Sequence, residues 1–192
     1  MRKLVYYVAT TLDGYIAGPD GGDPSGADYF PITPDVIQFI VEQYPETLPE
    51  PARAALGIDG PGQTFDTVLE GRASYEVGLA AGLTDAYPHL RHLVFSTTLE
   101  SRDPAVEIVG SGAVDRVRAL KAEAGKDLWL VGGGTLAHSL LPEIDRLVLK
   151  QNRSIIGSGI PLFNGPFQSH MFRPVDETLL ESGMRVLTYD RA

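Results

Sequence analysis

The chain has 192 residues, 43% of them hydrophobic and 21% charged, enough to bury one sizeable core in a single domain spanning 1–192. A formal net charge of −9 argues against a nucleic-acid surface, and the absence of cysteine excludes disulfides, thiolate metal sites and cysteine nucleophiles. No apolar stretch approaches the ~20 residues needed to span a bilayer, so no membrane partner is expected, and the start "MRKLVYYVATTLDGYIAG" reads as cytoplasmic rather than as a signal peptide.

Residues 3–9, "KLVYYVA", read as a buried first strand, and the Gly-, Asp- and Pro-dense run "DGYIAGPDGGDPSGAD" as loop. Thr33 and Pro34 open a helix with Val36, Ile37, Ile40 and Val41 at helical spacing. Residues 45–64, with their prolines and glycines, read as an irregular excursion. "FDTVLEG" is a strand, "RASYEVGLAAG" a helix start, "RHLVFSTT" and "VEIVG" strands. In "SGAVDRVRALKAEAG" Ser111 is the expected cap, Val114, Val117, Leu120 and Ala124 share a face, and Gly125 is the stop. "DLWLVGG" is a strand, "TLAHSLLPE" a helix, and "DRLVLKQNRSII" and "GMRVLTYDR" are long strands, with nothing regular assigned between them. Alternating strands and helices followed by a strand-rich end predict an α/β domain with a central, mostly parallel sheet, an antiparallel C-terminal edge and flanking helices.

Three strand ends carry chemistry. In "LWLVGGGTLAHSLL", Val131 leads into Gly132, Gly133 and Gly134, and Thr135 then opens a helix. Glycines there let the backbone approach a ligand closely, and the helix start offers unpaired N–H groups suited to phosphate; a tight turn would use the same glycines. "VLEGRASYE" sends a strand into Gly71 and then Arg72 and Ser74, a guanidinium fork and a hydroxyl; a surface arginine and an ordinary cap are the plainer reading. "LVFSTT" ends a strand on Phe95, Ser96 and Thr97. Two phosphate cradles and a polar strand end together suit an extended dinucleotide. His138 is expected outward and inert, Asp13-Gly14 is expected to turn, and His89 with His92 lacks a third ligand, so no metal site is expected.

In that order, "YYVATTLDGYIAG", "VLEGRASYE", "HLVFSTTLE", "LWLVGGGTLAHSLLP" and "IDRLVLKQNRSIIGSGIPLF" resemble the dihydrofolate reductase superfamily, in the branch similar to the C-terminal reductase domain of the riboflavin-pathway protein RibD. The resemblance implies a three-layer dihydrofolate reductase-like fold that binds NADPH across the carboxyl edge of its sheet. It implies that Ala9 lies under the nicotinamide with Ile16 and Ala17 lining it. Gly71, Arg72 and Ser74 would hold phosphates, Phe95, Ser96 and Thr97 would flank the adenosine, and Val131 to Thr135 would follow the pyrophosphate, with a cis peptide between the first two glycines. Hydride would pass to a pterin- or pyrimidine-like heterocycle, as in dihydrofolate reductase or 5-amino-6-(5-phosphoribosylamino)uracil reductase. Alternatives are reduction of a nitro or quinone compound, or a non-catalytic binding module on the same fold. The acid that folate-reducing members carry on the first helix has two candidates here, Asp28 in "SGADYF" and Asp35 at the helix start, where an acid also serves the macrodipole. Thr97 replaces an arginine frequent in relatives, while Arg72 still favours NADPH over NADH. Pairing as a homodimer is expected by the same resemblance.

Overall fold

A computed structural model describes residues 1–192. Ten strands and five α-helices follow in the order β1 (Leu4–Thr10), β2 (Tyr15–Ala17), α1 (Pro34–Gln43), α2 (Glu50–Ala55), β3 (Phe65–Gly71), α3 (Arg72–Ala80), β4 (Arg91–Phe95), β5 (Val106–Val109), α4 (Ala113–Ala122), β6 (Asp127–Gly132), α5 (Gly134–Ser139), β7 (Arg146–Gln151), β8 (Ile160–Pro161), β9 (Phe172–Leu179) and β10 (Arg185–Arg191). Eight of the strands form one sheet in the order β5-β4-β3-β6-β1-β7-β10-β9. From β5 to β7 all pairs are parallel, and β10 and β9 close the edge antiparallel. The expected α/β architecture is therefore the observed one.

Alternation along β1 explains the layering. Leu4, Tyr6 and Val8 join Leu128, Leu130, Leu140 and Ile144 on the face covered by α4 and α5. Val5 and Tyr7 join Phe65, Trp129 and Val148 on the other face, where Phe39 of α1 packs. A strand buried on both faces needs a near-continuous apolar run, which "LVYYVA" supplies.

Four local expectations are corrected. Tyr15–Ala17 is a strand, not loop, because it pairs with Ile160–Pro161. Phe172–Leu179 is the outer strand β9, left unassigned because its residues are mostly exposed and lack an apolar alternation. Gly112, in a left-handed conformation with φ 67°, caps α4 in place of Ser111, and the helix ends before Ala124, which is exposed. The strand expected over 145–156 stops at Gln151.

Residues 45–64 also prove ordered. Glu46 is fully buried and accepts backbone N–H bonds from Gln63, Thr64 and Phe65 at 3.1, 2.6 and 2.6 Å. Buried Arg53 donates to the carbonyls of Pro45 and Gly60. Paired backbone groups of this kind remove the cost of burying an irregular segment. The excursion thus seals the amino end of β3, opposite the end where the glycine corners lie.

Candidate functional site: a rim of strand ends

The three corners meet on one rim. Strand pairing puts Gly71 opposite Phe95 and Glu70 opposite Gly132, so the carboxyl ends of β4, β3 and β6 lie side by side. A Cβ built on Gly71 would come within 3.9 Å of the Gly132 carbonyl and 3.8 Å of Leu136. One built on Gly132 would lie 3.7 Å from both the Ser74 hydroxyl oxygen and the Ile16 side chain. Gly71, Ser74, Gly132 and Ile16 therefore converge at one place on the rim. Phe95 is 8% exposed at its end, and Ser96 accepts N–H bonds from Thr98 and Leu99, which fixes the turn beyond Thr97.

The glycines of the triplet differ in their surroundings. Gly132 has φ 155° and a cis peptide joins it to Gly133. Gly134 has no room for a side chain, since a Cβ would strike the Pro161 carbonyl. Around Gly133 there is open space, with nothing within 4 Å of a Cβ position. Val131 is partly buried beside them, and the exposed Thr135 accepts a hydrogen bond from the Asn164 amide at 3.3 Å. Gly133 is the N-cap of α5, with no side chain closing the helix start. The result is a backbone-lined trough against a helix N-terminus, a shape suited to pyrophosphate.

Arg72 opens α3 with an exposed guanidinium, 3.4 Å from the Thr98 hydroxyl and 3.8 Å from the Glu76 carboxylate. Ser74, in the same first turn, makes no hydrogen bond within the chain, which leaves its hydroxyl free. Ala17 pairs with Ile160 on the far side of Ile16, and Ala9 sits near the end of β1 in register with Lys150.

The two candidate acids lie elsewhere on the same edge. Asp28 is exposed in a cleft of about 330 Å³ that Asn152, Arg153, Ser154 and Ser182 also line. Asp35 accepts from the Thr33 hydroxyl and from the Ser182 backbone N–H at 2.7 Å. These bonds, Thr33 first, pull its carboxyl down to about 2. Thr33 thus spends its hydroxyl on Asp35 and makes no side-chain bond to cap α1.

Asp13 does more than turn the chain: it accepts N–H bonds from Ile156 and Gly157, tying the loop after β1 to the loop after β7. His138 is half-buried, not outward, with its ring against Gly165 and Gln168. His92 lies between Glu70 and Asp85, at 2.6 and 2.8 Å, as an ion-pair centre rather than half of a metal pair. The polar run "KQNRS" at the end of β7 belongs to the stretch "IDRLVLKQNRSIIGSGIPLF" that carries the resemblance. The strand-end rule that found the other three corners applies to it equally.

No family model matches the chain. It is 32% identical to YwjB of Bacillus subtilis strain 168, a protein of uncharacterized function, over 179 residues that cover 85% of this chain and 83% of YwjB. It is 24% identical to YyaP of the same organism, also uncharacterized, over 98% of this chain and 94% of YyaP. Among solved structures it resembles a provisionally assigned riboflavin biosynthesis protein from Shewanella sp. PV-4, with a TM-score of 0.69 at 22% identity over 100% and 99% of the two chains. It resembles dihydrofolate reductase from Enterococcus faecalis, solved with NADP(H), with a TM-score of 0.66 at 18% identity over 98% and 96%. It also resembles a diaminohydroxyphosphoribosylaminopyrimidine deaminase/5-amino-6-(5-phosphoribosylamino)uracil reductase from Thermotoga maritima, with a TM-score of 0.67 at 16% identity, covering 100% of this chain and 57% of that one. The strand order, the rim and these likenesses agree: the chain belongs to the family of YwjB, and its fold is that of the dihydrofolate reductase-like proteins.

Proposed function

We propose that this protein is an NADPH-dependent reductase of a flat, pterin- or pyrimidine-like heterocycle. The observation that carries the reading is the convergence of Gly71, Ser74, Gly132 and Ile16 on one rim, with Gly133 opening into free space at a helix start. The residues present fit the cofactor. Gly132 to Thr135 would follow its pyrophosphate, Arg72 and Ser74 its remaining phosphate, Phe95 to Thr97 its adenosine, and Ala9, Ile16 and Ala17 its nicotinamide. When bound, NADPH supplies a hydride for an electrophilic carbon. The chain's own part is to orient and to exclude water: Ile16, 8% exposed, and Ala17, 9% exposed, give the nicotinamide end an apolar wall. Of the two candidate acids, Asp28 stands in the cleft, whereas Asp35 is committed to holding the β9–β10 turn through Ser182.

The test is calorimetric titration of the purified chain with NADPH, then steady-state NADPH oxidation with dihydrofolate and with 5-amino-6-(5-phosphoribosylamino)uracil. Saturable binding and turnover of either substrate are expected. Absence of binding removes the reading. Pairing of two copies remains part of the proposal; the exposed Phe167, Met171, Val175 and Leu179 near the outer strand are apolar surface that it would cover. Sedimentation of a monomer at micromolar concentration would end it.

A further inference from the structure

The sequence has four lysines, and three of them are conventionally partnered. Lys3 pairs with Asp190, Lys121 with Asp145, and Lys126 donates to the Gly62 carbonyl. Lys150 is different. Its ammonium sits 4.2 Å from the centroid of the Tyr7 ring, with no carboxylate within 4 Å and no hydrogen-bond acceptor of its own. Leaving a partly buried ammonium without an oxygen partner is costly, which calls for an explanation.

Its position suggests one. Strand register places Lys150 beside Ala9 on β1 and beside Val186 on β10. Alternation along β7 puts it on the same sheet face as Val148 and Tyr7, the face α1 covers. Two residues further along that face, Asn152 opens the cleft that holds Asp28. Lys150 thus stands in register with Ala9, at the proposed nicotinamide end, and two residues before Asn152, which lines the cleft.

We propose that Lys150 is the proton donor of the reduction, in place of the carboxylic acid found on the first helix of folate-reducing proteins. The inference rests on the reductase reading above. In the step, a substrate C=N accepts a hydride at carbon from the reduced nicotinamide, which leaves oxidised. The π electrons pass to nitrogen, which takes a proton from Lys150 Nζ. The neutral amine left behind is reprotonated from solvent.

The charges around Lys150 suit that task. On β1 it faces Tyr7, whose hydroxyl burial holds neutral. β10 offers Val186. The acids of α1 are engaged elsewhere, Asp35 by Ser182 and Glu42 by Gln38, and Glu46 by the 63–65 backbone. Burial lowers the ammonium to about 8, so it is charged at neutral pH yet gives up its proton readily.

The test uses the intact chain with its lysines ¹³C-dimethylated and followed by NMR, K150R assigning the signal. Lys150 is expected to titrate well below the other three lysines and to move on saturation with NADP+. Titration together with the others overturns the proposal. So does an unmoved signal when calorimetry shows NADP+ bound; no NADP+ binding at all defeats the reductase reading and this inference with it. With a substrate that is turned over, K150M should lower kcat about 100-fold, with NADPH affinity little changed. K150R should move the alkaline limb of the kcat profile to higher pH. An unaltered kcat in K150M overturns the proposal, and the NMR result decides it if neither substrate turns over.

Discussion

Gly133 and Gly134 are adjacent and identical, yet their neighbours give them opposite tolerances. A side chain at 134 would strike the Pro161 carbonyl, whereas one at 133 would point into empty space. Gly133→Val should therefore fold normally and fill the trough. We expect circular dichroism unchanged and NADPH affinity at least ~100-fold weaker, since a filled trough forfeits the backbone bonds to a charged ligand. Undiminished affinity would show that the trough is not where the cofactor lies. Arg72 reads a different part. Its guanidinium is exposed and only loosely held by Thr98 and Glu76, so its loss should leave the fold intact. Removing its charge-assisted contact should weaken NADPH by roughly 10-fold or more and NADH much less; equal weakening in parallel titrations would assign the 2′-phosphate elsewhere. Both residues stood out in the sequence because glycine and arginine at a strand-to-helix turn have few structural uses. Lys150 did not, since its lack of a carboxylate partner exists only after β7, β1 and β10 have paired.

At the scale of elements, the molecule separates support from function by sheet edge. The amino ends are stapled by buried or half-buried charge. Arg2 pairs with Asp66, Asp127 accepts from Lys3 N–H, Asp145 from Leu4 N–H, and Glu46 from three successive amides before β3. The carboxyl ends of β3, β4 and β6 carry glycines and hydroxyls instead. This division explains how a chain of net charge −9 can offer an anion a place to bind: many of its acids are spent at the other edge. Glu46→Ala should leave the N–H groups of Gln63, Thr64 and buried Phe65 without their carboxylate and cost about 3 kcal/mol in a urea unfolding series. NADPH affinity should stay as it was, because Glu46 sits at the far end of β3; a matched loss of affinity would mean that the two edges communicate. The excursion around Glu46 looked irregular in sequence for the same reason that it is stable. Its order comes from one buried carboxylate and one buried guanidinium, Arg53, not from any repeating local pattern.

For the molecule as a whole, His92 sets how stability depends on pH. The imidazole is 1% exposed and bridges Glu70 of β3 to Asp85 in the segment before β4. Burial alone would lower its pKa, but bonds and charge from Glu70 and Asp85 outweigh this and raise it. A raised folded value means that protonated His92 contributes stability in full below the unfolded value of about 6.5. That contribution disappears as pH climbs through the higher folded value. The urea midpoint of the wild type should thus fall as pH rises above about 6.5, and His92→Gln should lack that fall while being less stable at pH 6. A wild-type midpoint flat from pH 6 to 9 would contradict it. The sequence by itself determined the parallel core and the three corners of the rim. Apolar runs buried on both faces, and glycines where strands meet helices, are local signals that need no partner to be read. Only the tertiary structure decided the pairing of β2 with β8, the exposed edge strand β9, the order of residues 45–64 and the isolation of Lys150. Each of these depends on groups brought together from distant parts of the chain, and no window of sequence holds both halves of such a contact.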